Sequence, residues 1–363
     1  MNSRRDRNAE DLRSATMPKT KSQPLAAPVQ ASGKIGLWGA PGSGKTTYLA
    51  ALSIAANRKQ ERLQLFGADD ASTDFLIQQT ALLTRDMLFP PATDAERHLN
   101  WVLRMNVDGP GRRFWRSAPE TTRVEFELDF LDAPGGRYAD TREASRGADP
   151  APRRLFGDED PVAAVAGTVG NDEQFLQELA GCDGLVLLFD PTREWETSDA
   201  FNHFHGTLLK IAQRRMRDPG RTTDLLPQYV AVCTTKFDHN DVYRKACELG
   251  FRSFSITDRR FFPKISDDRA EQFFIAMGRE SERSNADLVR STLRNFFEGD
   301  RIQFFVSSAI GFRIDHASGQ FDEQEFENID DRSGPVPRIK GPVYPINVIE
   351  PLMWLGEKLA GER

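Results

Sequence analysis

Gly39-Ala-Pro-Gly-Ser-Gly-Lys-Thr46 fits the spacing G-x-x-x-x-G-K-[ST]. Residues of these types at this spacing can cradle a chain of phosphates. Glycines let the backbone wrap inward, so that successive N–H groups converge on phosphate oxygens. A helix starting where the loop ends adds the positive end of its dipole. Gly39, Gly42, Ser43, Gly44 and Thr47 are the candidate loop contacts. Lys45 is expected to reach the β- and γ-phosphates, and the Thr46 hydroxyl to ligate Mg²⁺. The expected ligand is a nucleoside triphosphate or diphosphate.

Three later segments carry chemistry that fits the same ligand. Leu131-Asp132-Ala-Pro-Gly135 puts a carboxylate where it can hold Mg²⁺ through a water, with the Gly135 N–H available to a γ-phosphate; seen in isolation it reads as a plain turn. In Thr235-Lys236-Phe237-Asp238 the Asp238 carboxylate can accept hydrogen bonds from guanine N1 and N2, which adenine does not offer. The Lys236 stem can lie over the base. Taken alone, this stretch could be no more than a solvated polar loop. Ser307-Ser308-Ala309 has side chains small enough for a backbone N–H to approach the guanine O6.

These segments need a scaffold, and the hydrophobic pattern supplies one. Lys34 to Trp38 reads as a first strand, and Thr46 to about Gln60 as the helix after the glycine loop. Leu99 to Val107 and Arg123 to Leu131 alternate as half-buried strands do, the second with Val124, Phe126, Leu128 and Phe130 on one side. Gly184 to Phe189, Tyr229 to Cys233 and Ile302 to Val306 are short and almost wholly apolar, as strands buried on both faces of a parallel sheet are. A closing helix is expected near Val348 to Leu359, with Pro351 tolerated in its first turn. The pattern predicts a three-layer α/β fold with helices on both faces of a mostly parallel sheet. Asp132, Thr235 and Ser307 then stand at strand ends, the edge where open α/β sheets bind ligands.

Composition narrows the class. Of 363 residues, 48 are Lys or Arg and 54 Asp or Glu, a net charge of −6, so a dedicated nucleic-acid binder is not expected. Three cysteines without zinc spacing point to a reducing, cytoplasmic setting. The longest clean apolar run, Leu185 to Phe189, is too short to span a bilayer. Residues 1–31 read as a flexible basic tail, and residues 32–363 as one domain enlarged by insertions at about 136–170 and 240–301. Within the second insertion, Ala286 to Phe297 is helical in pattern, and Phe261-Phe262 and Phe273-Phe274 are expected in a local core.

In order and position, these motifs resemble those of the translation-factor-related (TRAFAC) class of P-loop GTPases. Gly39 to Thr46 looks like that family's first motif, Asp132 to Gly135 its third, Thr235 to Asp238 its fourth and Ser308-Ala309 its fifth. The resemblance covers roughly residues 33–310 together with the last helix, and implies a P-loop NTPase fold with one antiparallel strand. It also implies slow, Mg²⁺-dependent hydrolysis of GTP to GDP and phosphate in a regulatory switch. The fourth motif has Thr235 where the family most often has Asn, and Ile310 stands where the fifth often has Lys. The second motif, a switch threonine, is met by Thr93, which would bind Mg²⁺ and the γ-phosphate and act with Lys45 in catalysis. Thr93 precedes Asp94, Ala95 and Glu96, so it could equally cap a short helix.

Where relatives place a water-orienting glutamine, this chain has Gly136, so the missing charge compensation must come from elsewhere in the chain, a second protomer or a partner. One of Arg137, Arg142, Arg146, Arg153 and Arg154 is a candidate; the plain reading of all five is solvated loop charge. Within the class, the layout and the segment Pro345 to Pro351 are similar to bacterial stand-alone GTPases of the double-GTPase type, which are linked to signalling or defence systems. A protein effector or activator, or a homodimer, is the implied partner. Two other readings stay open: an assembly module that binds guanine nucleotide with negligible hydrolysis, and an ATP-using enzyme.

Overall fold

The computed structural model describes residues 33–40, 42–58, 63–91, 97–108, 121–132, 176–197, 200–216, 225–255, 258–279, 286–330 and 337–362. The expected tail, the 136–170 insertion with its five arginines, Thr93 and Gly135 all lie outside these residues. A seven-stranded sheet forms the centre. Its strands are β1 (Gly33–Gly39), β2 (Leu63–Gly67), β3 (Arg97–Asp108), β4 (Thr121–Asp132), β5 (Gly184–Phe189), β6 (Tyr229–Thr234) and β9 (Ile302–Val306), in the order β2-β3-β4-β1-β5-β6-β9. From β4 to β9 every pairing is parallel, whereas β3 is antiparallel to both its neighbours. Only β3 runs against the rest.

Two-residue periodicity explains how helices come to cover both faces. All of β5 is buried, and its alternate side chains enter different cores. Val186 and Leu188 join the core formed with α1 (Lys45–Arg58) and α9 (Glu350–Gly361). Leu185, Leu187 and Phe189 face α5 (Ala200–Met216), α7 (Asp267–Arg279) and α8 (Ala286–Phe296). Further helices are α2 (Asp70–Ala81), α3 (176–181), α4 (Pro191–Thr197) and α6 (Asn240–Glu248). Two small hairpins complete the order: β7 (Ser253–Phe254) with β8 (Pro263–Lys264), and β10 (Ile329–Asp330) with β11 (Arg338–Ile339).

The sequence pattern misses β2 and α2. β2 is an edge strand of five residues, with Leu63 buried and Phe66 44% exposed, so it alternates too briefly to stand out. α2 begins at an Asp69 cap whose side chain accepts from the Ser72 N–H at 2.7 Å, a local signal without a strong apolar stripe beside it. One aromatic pair also behaves differently from expectation. Phe262, Phe273 and Phe274 are buried, but Phe261 turns outward at φ 53 and is 45% exposed.

α1 begins where β1 ends, across a loop too tight for ordinary residues. A β-carbon on Gly39 would lie 2.6 Å from Ser43 Oγ and 2.7 Å from the Leu188 carbonyl oxygen. The second obstacle is backbone of the neighbouring strand and cannot rotate away. Gly39→Ala is therefore expected to lower stability by about 1–3 kcal/mol, the usual cost of overpacking, measured by chemical denaturation.

Candidate functional site

The carboxyl ends of β1, β5, β6 and β9 open on one edge of the sheet, and the loops that leave them interlock. In the first loop Gly42 and Gly44 take φ of 72 and 88, values that residues with a β-carbon rarely adopt. The Ser43 N–H bonds the Ala40 carbonyl at 3.1 Å, and the Tyr48 N–H bonds that of Gly44 at 2.7 Å, which starts α1. Lys45 folds back across the loop, its Nζ donating to the carbonyls of Gly39 at 2.9 Å and Ala40 at 3.2 Å. Ser43 is 1% exposed, and its hydroxyl has no hydrogen-bond partner among the described residues.

The β6 loop ties three strand ends together. The Thr235 N–H donates to the Phe189 carbonyl at 2.9 Å, and the Thr235 hydroxyl lies 3.3 Å from the same oxygen and 3.5 Å from the Ser43 carbonyl. Lys236 sits at φ 57, uncommon for a non-glycine residue. An ion pair holds it there, with Nζ 2.5 Å from Asp190 Oδ2 and 3.3 Å from the Thr192 hydroxyl. Asp190 is 1% exposed, and its other oxygen accepts from the Thr192 N–H at 3.0 Å and hydroxyl at 2.8 Å, capping α4. This carboxylate escapes the motif reading. Its local signal is Asp190-Pro191 directly after an apolar strand, the pattern of a helix start with proline in the first turn.

Asp238 closes the site from below. Its carboxylate accepts from the Ser308 hydroxyl at 2.5 Å, and the Ser308 oxygen accepts from the Gly311 N–H at 2.7 Å. Burial pushes the Asp238 carboxyl above the usual carboxylate range, while the Ser308 bond and the nearby His239 and Lys236 pull the other way. Ser308 is wholly buried, and its backbone pairs with Ile346, at 3.0 Å and 2.9 Å. The Ser307 N–H bonds the Thr234 carbonyl at 2.8 Å and its own carbonyl receives the Phe237 N–H at 3.1 Å, joining the β9 and β6 loops.

A cleft of about 810 Å³ lies between these loops. Of the residues singled out in the sequence, Gly42, Ser43, Gly44, Thr47, Thr235, Lys236, Asp238, Ser307, Ala309 and Ile310 line it. Ser308 stands behind Asp238 rather than in the cleft, and Gly39, Lys45 and Thr46 form the ends of the loop and the start of α1. The backbone of Asp132 ends β4, two residues beyond the Leu37–Phe130 pairing, so it is level with Gly39. Ile310 is 2% exposed and packs with Ala50, Ile54 and Ile339, which accounts for an apolar residue there.

The outer wall comes from the segment that leads to Thr93 and from a later one that carried no motif. Phe89, Pro90 and Pro91 approach from one side, and Glu327, Ile329 and Pro337 from the other. A Leu88–Arg338 bridge joins the two segments. Among the described residues no cluster of three His, Cys, Asp or Glu side chains could hold a metal, and no helix is long and apolar enough to cross a membrane. No protein-family model matches this sequence, and no curated protein matches it either. The cleft thus joins the glycine loop, with Lys45 bonded to its carbonyls, and the buried carboxylate of Asp238.

Proposed function

We propose that this chain binds GTP and GDP and hydrolyses GTP slowly to GDP and phosphate, as a regulatory switch of the TRAFAC type on a P-loop NTPase fold. The observation that carries the reading is one cleft lined by Gly42, Ser43 and Gly44 together with Asp238. Its volume, about 810 Å³, falls within the range of small-molecule sites. The parallel order β4-β1-β5-β6-β9, with the motifs at successive strand ends, is further support. In this reading the glycine loop and Lys45 hold the phosphates, and Asp238, kept in place by Ser308, reads the guanine edge. Lys236 spans the base side with its ammonium anchored on Asp190.

In this reading Mg²⁺ would be held by the Thr46 hydroxyl at the start of α1, with the Asp132 and Thr93 oxygens proposed from the sequence as further donors. When bound it would neutralise charge on the β- and γ-phosphate oxygens. Lys45 must leave the carbonyls of Gly39 and Ala40 to meet the phosphates, so ligand replaces an internal contact. The three cysteines are free, and burial pushes the Cys182 thiol up to about 12 and Cys233 higher still, which keeps both protonated. Effectors or activators would dock on the loops outside the cleft.

The decisive experiment compares affinities for GTP, GDP and ATP in the natural chain and in Asp238→Ala. GTP and GDP are expected to bind far more tightly than ATP, and Asp238→Ala to remove that preference. Strong competition by ATP, with no loss in the variant, would overturn the guanine reading in favour of an ATP-using enzyme. Single-turnover hydrolysis is expected on the order of 10⁻³ s⁻¹ or below, because Gly136 has no side chain to orient water. Binding with no phosphate release would favour an assembly module.

A further inference from the structure

Arg193 brings a second cation, besides Lys45, to the glycine loop. A β-carbon on Gly42 would lie 3.6 Å from Arg193 Nη1, so the guanidinium stands beside the glycine loop. Lys45 reaches the same loop from α1. Arg193 belongs to α4, and its neighbours in that helix are anchored inward. Asp190 caps the helix and is ion-paired to Lys236 at 2.5 Å. Glu194, 1% exposed, has a carboxylate oxygen 3.3 Å from the Phe201 N–H. The Trp195 indole N–H donates to the Met277 carbonyl on α7 at 3.1 Å. With residues 190, 192, 194 and 195 committed to the interior, the fold holds position 193 toward the loop without any closing motion.

We infer that Arg193 is a catalytic residue that stabilises the negative charge developing on the phosphate chain during hydrolysis, an arginine supplied by the chain itself. This rests on the guanine-nucleotide reading above and names what that reading leaves without a source. Attack of water on the γ-phosphorus forms one P–O bond as the bond to the β–γ bridging oxygen breaks. The proton lost by water ends on phosphate, and GDP leaves with the electron pair of the broken bond. Charge that builds up on the transferring and leaving oxygens is what a preorganised guanidinium compensates.

The test uses the full chain as natural protein, Arg193→Ala and Arg193→Gln, the second keeping hydrogen-bonding capacity without charge. GTP and GDP affinity, single-turnover hydrolysis and trapping of GDP with aluminium fluoride are measured, with thermal melting as the check on folding. Both variants are expected to bind GDP and GTP within about 3-fold of the natural chain, to hydrolyse GTP on the order of 10²-fold more slowly, and to lose the aluminium fluoride complex. An unchanged rate would overturn the assignment. So would weakened GTP binding with an unchanged rate at saturation, because Arg193 would then be a ground-state anchor. A natural chain that binds GTP but neither hydrolyses it nor traps aluminium fluoride overturns the Arg193 role and leaves guanine binding standing. One that binds no guanine nucleotide overturns both.

Discussion

In the proposed guanine site, Asp238→Asn is expected to switch the preference from guanine to xanthine. A carboxylate accepts from both guanine N1–H and the N2 amine, whereas an amide offers one acceptor and one donor. Xanthine has a carbonyl where guanine has that amine, so it complements the amide and clashes electrostatically with the carboxylate. Hydrogen bonds to a charged group are worth about 1.5–3 kcal/mol each, so losing the guanine pair should weaken GDP by roughly 10²-fold or more. Xanthosine diphosphate should gain in the variant by a similar factor. Titration of both nucleotides against both proteins checks the inversion; equal affinity of the variant for GDP and xanthosine diphosphate would count against Asp238 as the base-reading group.

The same substitution carries a pH signature. Burial raises the Asp238 carboxyl in the folded, nucleotide-free protein, so the folded state holds this proton more tightly than the unfolded chain does. Its contribution to stability is therefore full below the unfolded carboxyl value and is lost as pH rises through the raised folded value. Above that value Asp238→Asn should melt higher than the natural protein without nucleotide, since an amide oxygen can still accept from Ser308. Guanine binding requires the ionised carboxylate, so GDP affinity should fall on acidification, starting above the ordinary carboxylate range. The variant should lack that fall.

Lys45→Ala is expected to abolish useful nucleotide binding while sparing the fold. Without ligand the ammonium donates to the Gly39 and Ala40 carbonyls, at 2.9 Å and 3.2 Å, and water can take its place on these partly buried groups. Two phosphate contacts at about 1.5–3 kcal/mol each correspond to a loss of roughly 10²-fold or more in affinity. Melting temperature without nucleotide should stay close to that of the natural chain, and the upward shift produced by GDP should disappear. A variant that keeps the GDP shift would show that the phosphates lie elsewhere.

The glycine loop, the three apolar strands and the TKFD segment are legible because each depends on neighbours within a few residues. Two-residue alternation in β5 and a glycine spacing need no knowledge of the rest of the chain. Asp190 and Arg193 are not legible as site residues. Asp190 meets Lys236 across 46 positions of sequence, and Arg193 reaches Gly42 across 151. Nothing in the local pattern of α4 distinguishes an arginine beside a loop from one in solvent.

Spacing and periodicity thus define which residue types are available for phosphate and base and that they stand at strand ends. Pairing between remote segments defines what surrounds them. The parallel register of β1, β5, β6 and β9 brings the ends to one edge, and the Ser308–Asp238 bond orients the carboxylate. The Leu88–Arg338 bridge brings together the wall that narrows the cleft. Those contacts join residues tens to hundreds of positions apart, and their partners are chosen by the packing of the sheet and its helices rather than by local order.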